Sequence, residues 1–225
     1  MFDSWFTDSI EKIDFKMTKV ISFISRKGGS GKTTNAINLA TSLSKIGYSV
    51  LLVETDTNYT LISSRKLELF KLKEKEDKYF PILASEDHRI ADEIKTLKEN
   101  KAFDIIIVDS AGKTTDKGIR ELCLVSDMVI ITTSLTQNDL LVTYQTVKDL
   151  LPAKEINDKL KLCILPNRIH SHTRLKTVKE VLKNLEAEVI DTYVPQRKIY
   201  TSPSTIFAEK KYLNVANQIA KKLKE

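Results

Sequence analysis

Apolar residues fall along this chain in two recurring patterns, short unbroken runs and stripes at intervals of three and four. The runs cover residues 20–25, 48–53, 80–84, 103–109, 126–133 and 161–168 and are rich in Ile and Val, which predicts buried strands. Between them lie helical stripes. The first carries Ala36, Ile37, Ala40, Leu43 and Ile46, and others cover residues 61–76, 91–98, 113–125, 138–151, 175–185 and 205–223. Pro152 is expected to stop the helix before it, and Val189 begins a last edge strand. Strand and helix in alternation predict an α/β fold of three layers, a mostly parallel twisted sheet with helices on both faces. Residues 17–225 read as one domain. Residues 1–16 read as an added short amphipathic helix or frayed extension, with Phe2, Trp5, Phe6, Ile10 and Ile13 on one stripe, or as a docking helix for a partner.

Composition narrows the class. At 225 residues, with 41% hydrophobic and 29% charged positions, the chain suits an ordinary globular protein. No apolar run approaches the roughly 20 residues needed to span a bilayer. Asp3 and Asp8 stand where a signal peptide needs basic residues, so a cytoplasmic protein is expected. Cys123 and Cys163 lie far apart in apolar surroundings and read as reduced, buried thiols. A formal net charge of +6 favours a polyanionic partner, with DNA the first candidate.

The candidate chemistry begins after the first strand, at Lys27-Gly28-Gly29-Ser30-Gly31-Lys32-Thr33-Thr34. A strand, a glycine-rich turn and a helix N-terminus make a phosphate cradle. Glycines let the backbone approach the ligand, and turn N–H groups with a helix dipole of about half a positive charge face the anion. Lys32 is expected to reach the β- and γ-phosphates and the Thr33 hydroxyl to ligate Mg²⁺. Asp109 ends the run Ile105-Ile106-Ile107-Val108, where a central strand delivers a carboxylate to the Mg²⁺ shell. Glu54 and Asp56 lie at the carboxyl end of the second strand, where open α/β sheets bind ligands.

The ordinary phosphate-loop motif requires a glycine at position 26, where Arg26 stands, and a second lysine, Lys27, precedes the paired glycines. This K-G-G-x-G-K-T-T form resembles the deviant Walker A motif of the ParA/MinD group of ATPases. The resemblance covers residues 17–225. It implies ATP and Mg²⁺ as cofactors and a homodimer in the ATP state, with Lys27 crossing to the partner's nucleotide. It makes Lys27, Lys32 and Asp56 the catalytic set, Asp56 orienting the attacking water. Thr33, Glu54, Asp56 and Asp109 then become the metal set. Glu54 replaces the family's usual aspartate and Thr57-Asn58 its usual Pro-Gln, which implies slow or altered hydrolysis. On the base side, Asn167 with Arg168 resembles the asparagine that reads the adenine edge, and Pro195-Gln196 the segment lying against the ring. Residues 113–116 match, loosely, loops that sense the γ-phosphate.

The resemblance implies an ATPase that partitions plasmids or chromosomes. Its ATP dimer binds DNA without sequence preference, and a ParB-like centromere-binding protein stimulates hydrolysis and release. Such a protein is nucleoid-associated while ATP-bound. Candidate DNA contacts are Arg174, Lys176, Lys179 and Lys183, with Lys210, Lys211, Lys221, Lys222 and Lys224. A MinD-like positioning ATPase held to membrane by its last helix is an alternative. That helix runs on from the core without a linker, so packing is expected and no membrane partner. A VirC1-like DNA-transfer accessory ATPase shares the same motifs. A cluster carrier lacks its C-x-x-C pair, and the KGG loop is not that of dethiobiotin synthetases.

Overall fold

The computed structural model describes residues 12–86, 88–112, 116–200 and 202–225. In chain order the elements are β1 (Lys19–Phe23), α1 (Lys32–Ile46), β2 (Val50–Glu54), α2 (Thr60–Leu72), β3 (Ile82–Ala84), α3 (Ile90–Glu99), β4 (Ile105–Asp109) and α4 (Asp116–Val125). There follow β5 (Met128–Thr133), α5 (Gln137–Ile156), β6 (Lys161–Ile169), α6 (Leu175–Leu182), β7 (Glu188–Val189), β8 (Val194–Pro195) and α7 (Tyr212–Lys224). The strands form one sheet in the order β3-β2-β4-β1-β5-β6-β7, with β8 paired to β6, and every described pairing is parallel. The expected α/β architecture is present.

Alternation along the central strands builds a core on each face. Ile21, Phe23, Ile105, Ile107 and Ile130 pack with α1, α7 and the start of α2. Val20, Ile24, Ile106, Val108 and Ile131 pack with α3, α4 and α5. Phe23, Asp109 and Glu54 stand side by side in register, so β1, β4 and β2 end together at one rim of the sheet. That rim is where open parallel sheets bind ligands.

Several expected boundaries move. The helix across Pro152 does not stop, and α5 runs through to Ile156. The proline forfeits one backbone bond, while Leu150 and Ala153 on either side bury their side chains. Lys73 ends α2 in a left-handed turn, and α6 closes at Leu182, both earlier than their apolar stripes suggest. The last helix begins at Tyr212; Thr205 to Lys211 do not join it. Its apolar residues Tyr212, Val215, Ala216, Ile219, Ala220 and Leu223 are buried, so α7 is a core helix. Among the described residues no helix is long and apolar enough to cross a membrane. Most of the expected N-terminal helix lies outside the described residues. Residues 12–15 join no helix or strand, Ile13 donating its N–H to the Tyr48 hydroxyl (2.8 Å) and Phe15 stacking on the same ring.

A buried arginine explains why residues 205–211 leave the helical pattern. Arg65 is 1% exposed and lies under the Phe80 ring. It donates to the carbonyls of Phe80 (3.0 Å) and Thr205 (2.8 Å) and to the Thr205 hydroxyl (3.1 Å). Glu68 accepts the Thr205 N–H at 2.8 Å. These bonds commit the Thr205 backbone to α2. Arg65→Ala strands at least two buried carbonyls, and a loss of about 2–4 kcal/mol in urea unfolding is expected. A change below about 1 kcal/mol would show that the segment is held by other means.

Candidate nucleotide site

Between β1 and α1 the chain turns through Gly29 (φ 73°) and Gly31 (φ 97°), both in the left-handed region that favours glycine. Gly31 is doubly constrained, because a Cβ there would lie 2.3 Å from the Asn167 amide nitrogen. The head of α1 has no side-chain cap and no acidic residue in its first turn. Its leading N–H groups therefore have no partner within the helix and face the cleft. That cleft has a volume of about 940 Å³ and is lined by Gly28, Gly29, Lys32, Thr33, Asp56 and Asp109 among others.

Lys32 is buried, which lowers its pKa, while Asp109 and Asp56 act in the opposite sense. Asp109, 3% exposed, is pushed up to about 7, chiefly by burial. A hydrogen bond from Thr33 and the charge of Lys32 oppose that rise; Glu54 and Asp56 add to it. Asp109 Oδ1 is buried with no hydrogen-bond partner. A desolvated carboxylate oxygen beside a threonine hydroxyl, both lining the cleft, fits a hard cation with oxygen ligands. Thr33, Asp109 and Asp56 are the residues that would hold Mg²⁺, directly or through water.

Glu54 does not belong to that set. It is fully buried, and its carboxylate accepts from Thr60 Oγ1 (2.9 Å) and from the Leu61 N–H (3.0 and 3.1 Å). Tyr59, the residue at the cap of α2, contributes no side-chain bond, so Glu54 caps that helix from the neighbouring strand. The extra methylene gives it the reach. Asp56 borders the cleft, its Oδ1 accepting from the Asn58 N–H (3.0 Å) and side-chain amide (2.8 Å).

Lys27 pairs within its own subunit. Its ammonium is 2.5 Å from Asp139 Oδ1, and Ser134 holds the other oxygen of that carboxylate. Asp139 sits in the first turn of α5, where an anion is favoured by the helix dipole.

On the far side of Gly31 a smaller cavity of about 340 Å³ is lined by Thr34, Asn167, Arg168, Pro195, Gln196, Arg197 and Tyr200. The base-side residues expected from the sequence meet here. Asn167 has a further task, since its amide donates to the Ser30 carbonyl at 3.0 Å and props the glycine turn. Arg168 has φ 55°, a strained setting for a side chain beside a cavity.

Sequence reasoning missed three contributors. Asn35, one turn into α1, donates to the Gly31 carbonyl (2.8 Å) and accepts from the buried Tyr212 hydroxyl (2.8 Å), tying α7 to the cradle. Glu86 and His88, from the β3–α3 connection, line the large cleft. Nothing in their local pattern marks them; only the strand order brings them there.

The basic candidates divide. Arg174, Lys176, Lys179 and Lys183 stand exposed along α6, though Lys179 is paired with Asp191 and Lys183 with Glu180. Lys221 and Lys224 are exposed at the end of α7. Lys222 is no free surface cation: its side chain is 16% exposed and bonds Glu188 of β7 at 2.7 Å. Lys210 and Lys211 lie at the opposite end of α7.

The parallel sheet, the glycine turn into α1 and the β4 aspartate define a P-loop nucleotide-binding protein. The profile of the CobQ/CobB/MinD/ParA nucleotide binding domain matches residues 21–205. The chain belongs to this family, which includes the ParA/MinD-type ATPases. It is 28% identical to protein virC1 of Rhizobium rhizogenes over 141 residues, 61% of this chain and 60% of that one. It is also 38% identical over 105 residues to the signal recognition particle 54 kDa protein of Pyrobaculum calidifontis, 44% of this chain but only 23% of the relative. Among solved structures, the fold resembles a plasmid partition protein of Borrelia burgdorferi bound to AMPPNP. There the TM-score is 0.65 at 21% identity, covering 92% of this chain and 99% of the other.

The buried aspartate yields a pH test. In strong acid Asp109 is protonated both folded and unfolded, so its burial is not penalised. As pH rises toward about 7 the unfolded chain ionises first, and the fold loses stability across that window. Asp109→Asn removes the penalty. Without nucleotide or metal, the variant is expected to melt about 2 °C or more above the parent near pH 8, with no advantage near pH 4. Calorimetry showing the same difference at both pH values would contradict a buried carboxyl of raised pKa.

Proposed function

We propose that this protein is an ATP-dependent dimerising ATPase that partitions DNA. The observation that carries the reading is Lys27. It is a second loop cation, 43% exposed and held in the lone subunit by one carboxylate, beside a cradle that already has Lys32. A triphosphate and its metal bring more negative charge than one lysine and a helix head can offset. A cation donated from each subunit to the other's nucleotide offsets it, which couples dimerisation to the γ-phosphate.

In the cradle, the first N–H groups of α1 and Lys32 bind the phosphates, and Asn167 keeps the turn in shape. Thr33 and Asp109 hold Mg²⁺, which when bound neutralises phosphate oxygens. Asp56 orients the attacking water, its carboxylate steadied by Asn58. The base enters the cavity at Asn167, Pro195 and Gln196. Arg174 and Lys176, exposed on α6, contact DNA phosphates, and release follows hydrolysis stimulated by a centromere-binding partner. Residues 17–225 act as one domain. Burial of the apolar stripe of α7 favours this reading over a MinD-like membrane anchor.

ATP with Mg²⁺, and not ADP, is expected to convert the monomer to a dimer that shifts nonspecific duplex DNA, with affinity falling steeply as salt rises. Light scattering and gel shift check both. Lys27→Ala should lose the dimer while keeping ATP binding within about threefold, since Lys32 and the α1 head remain. Equal DNA binding in both nucleotide states would defeat the switch. Separately, Asp139→Asn releases Lys27 and should lower the ATP concentration at half-dimerisation by about threefold or more, because one exposed ion pair is worth up to about 1 kcal/mol. An unchanged or raised midpoint in ATP titration would show that the Asp139 contact does not restrain Lys27.

A further inference from the structure

Arg26 occupies the position where the ordinary phosphate loop has its first glycine. Its guanidinium is engaged on two sides. Nη2 donates to Asp116 Oδ1 at 2.8 Å, and Nε pairs with Asp149. Asp116 is the first residue of α4 and Asp149 lies within α5. The chain leaving β4 thus meets the phosphate loop at two described points. At Gly112 a Cβ would sit 3.8 Å from Gly28 Cα and 3.8 Å from Lys32 Nζ. At Asp116 the contact is Arg26 itself. One residue of the loop therefore fixes the start of α4 against the body of α5, next to the point where Gly112 abuts the cradle.

An exposed lysine–carboxylate pair would hold such a position loosely. A planar guanidinium that donates through separate nitrogens to two carboxylates on different helices constrains direction as well as distance. The pairs are partly exposed, Asp116 by 75%, so their contribution to stability is small and any role must show in geometry. At a reacting centre geometry matters, since a misplacement of about 1 Å costs up to about a hundredfold in rate.

We infer that Arg26 is a positioning residue for nucleotide hydrolysis: by clamping Asp116 and Asp149 it fixes the first turn of α4 against α5 beside the phosphate loop. The inference rests on the ATPase reading above. Arg26 touches no reacting group in this role, and substrate binding is left to Lys32 and the head of α1.

The test is steady-state ATP hydrolysis by the full chain with Mg²⁺, comparing the parent with Arg26→Gln, Arg26→Lys, Asp116→Asn and the Arg26→Gln/Asp116→Asn pair. Arg26→Gln should lower kcat about tenfold with KM within about twofold, Asp116→Asn should fall in the same direction, and the double variant should be no worse than Arg26→Gln alone. Arg26→Lys, keeping charge but not the fork, should recover part of kcat. Hydrogen exchange should quicken at the first turn of α4 in Arg26→Gln while the sheet is unchanged, which separates lost positioning from lost folding. Unchanged kcat in Arg26→Gln, or a rise in KM alone, overturns the inference, the latter making Arg26 a phosphate contact. A parent that hydrolyses no ATP overturns the ATPase reading and the inference together, and is told apart from failure of the inference alone, where the parent turns over ATP and Arg26→Gln matches it.

Discussion

The leading N–H groups of α1 have no partner within the helix, and much of the surrounding structure follows from that deficit. No capping side chain and no acidic residue in the first turn relieve it. Lys32 adds a buried cation at the same place. A helix head left in this condition is incomplete without an anion, and whatever anion binds there stabilises the fold by mass action. The parallel sheet makes the arrangement possible by ending β1, β2 and β4 at one level, so that a glycine turn and an aspartate from different strands meet.

Carboxylates around the cradle are divided between two kinds of work. Glu54 and Asp109 are register partners on adjacent strands and are similarly buried. One is saturated by the hydroxyl and amide at the start of α2; the other keeps an oxygen without a partner. Position in a motif does not distinguish them, and hydrogen-bond accounting does. A related division applies to the loop's cations. Lys32 and Arg26 both border the cleft, but Arg26, like Lys27, is also bound by an acidic residue of α5. Arg26 and Lys27 are thereby paired with carboxylates of the same chain.

Strands and the phosphate turn were legible in the sequence because each rests on local physics. Unbroken Ile and Val runs have few alternatives to a buried strand, and glycines at Gly29 and Gly31 satisfy a backbone requirement. What escaped was decided by distant residues. Residues 205–211 carry apolar positions at helical spacing, yet Arg65 claims the Thr205 backbone. Pro152 reads as a stop, yet the packed neighbours Leu150 and Ala153 carry α5 past it. Glu54 matched a metal position by alignment of pattern, and only the placement of Leu61 shows where its oxygens go. Asn167, Arg168, Pro195 and Gln196, grouped by the sequence reading, do line one cavity, but the support that Asn167 gives to Ser30 depends on strand order.

The buried chain of contacts from Tyr212 through Asn35 to Gly31 has a consequence for biogenesis. The glycine turn leaves the ribosome about 180 residues ahead of the helix that steadies it. A nascent chain therefore carries the loop's sequence long before it carries the loop's shape. The turn gains this support only once α7 has been made and docked, which ties its final shape to a helix far along the chain.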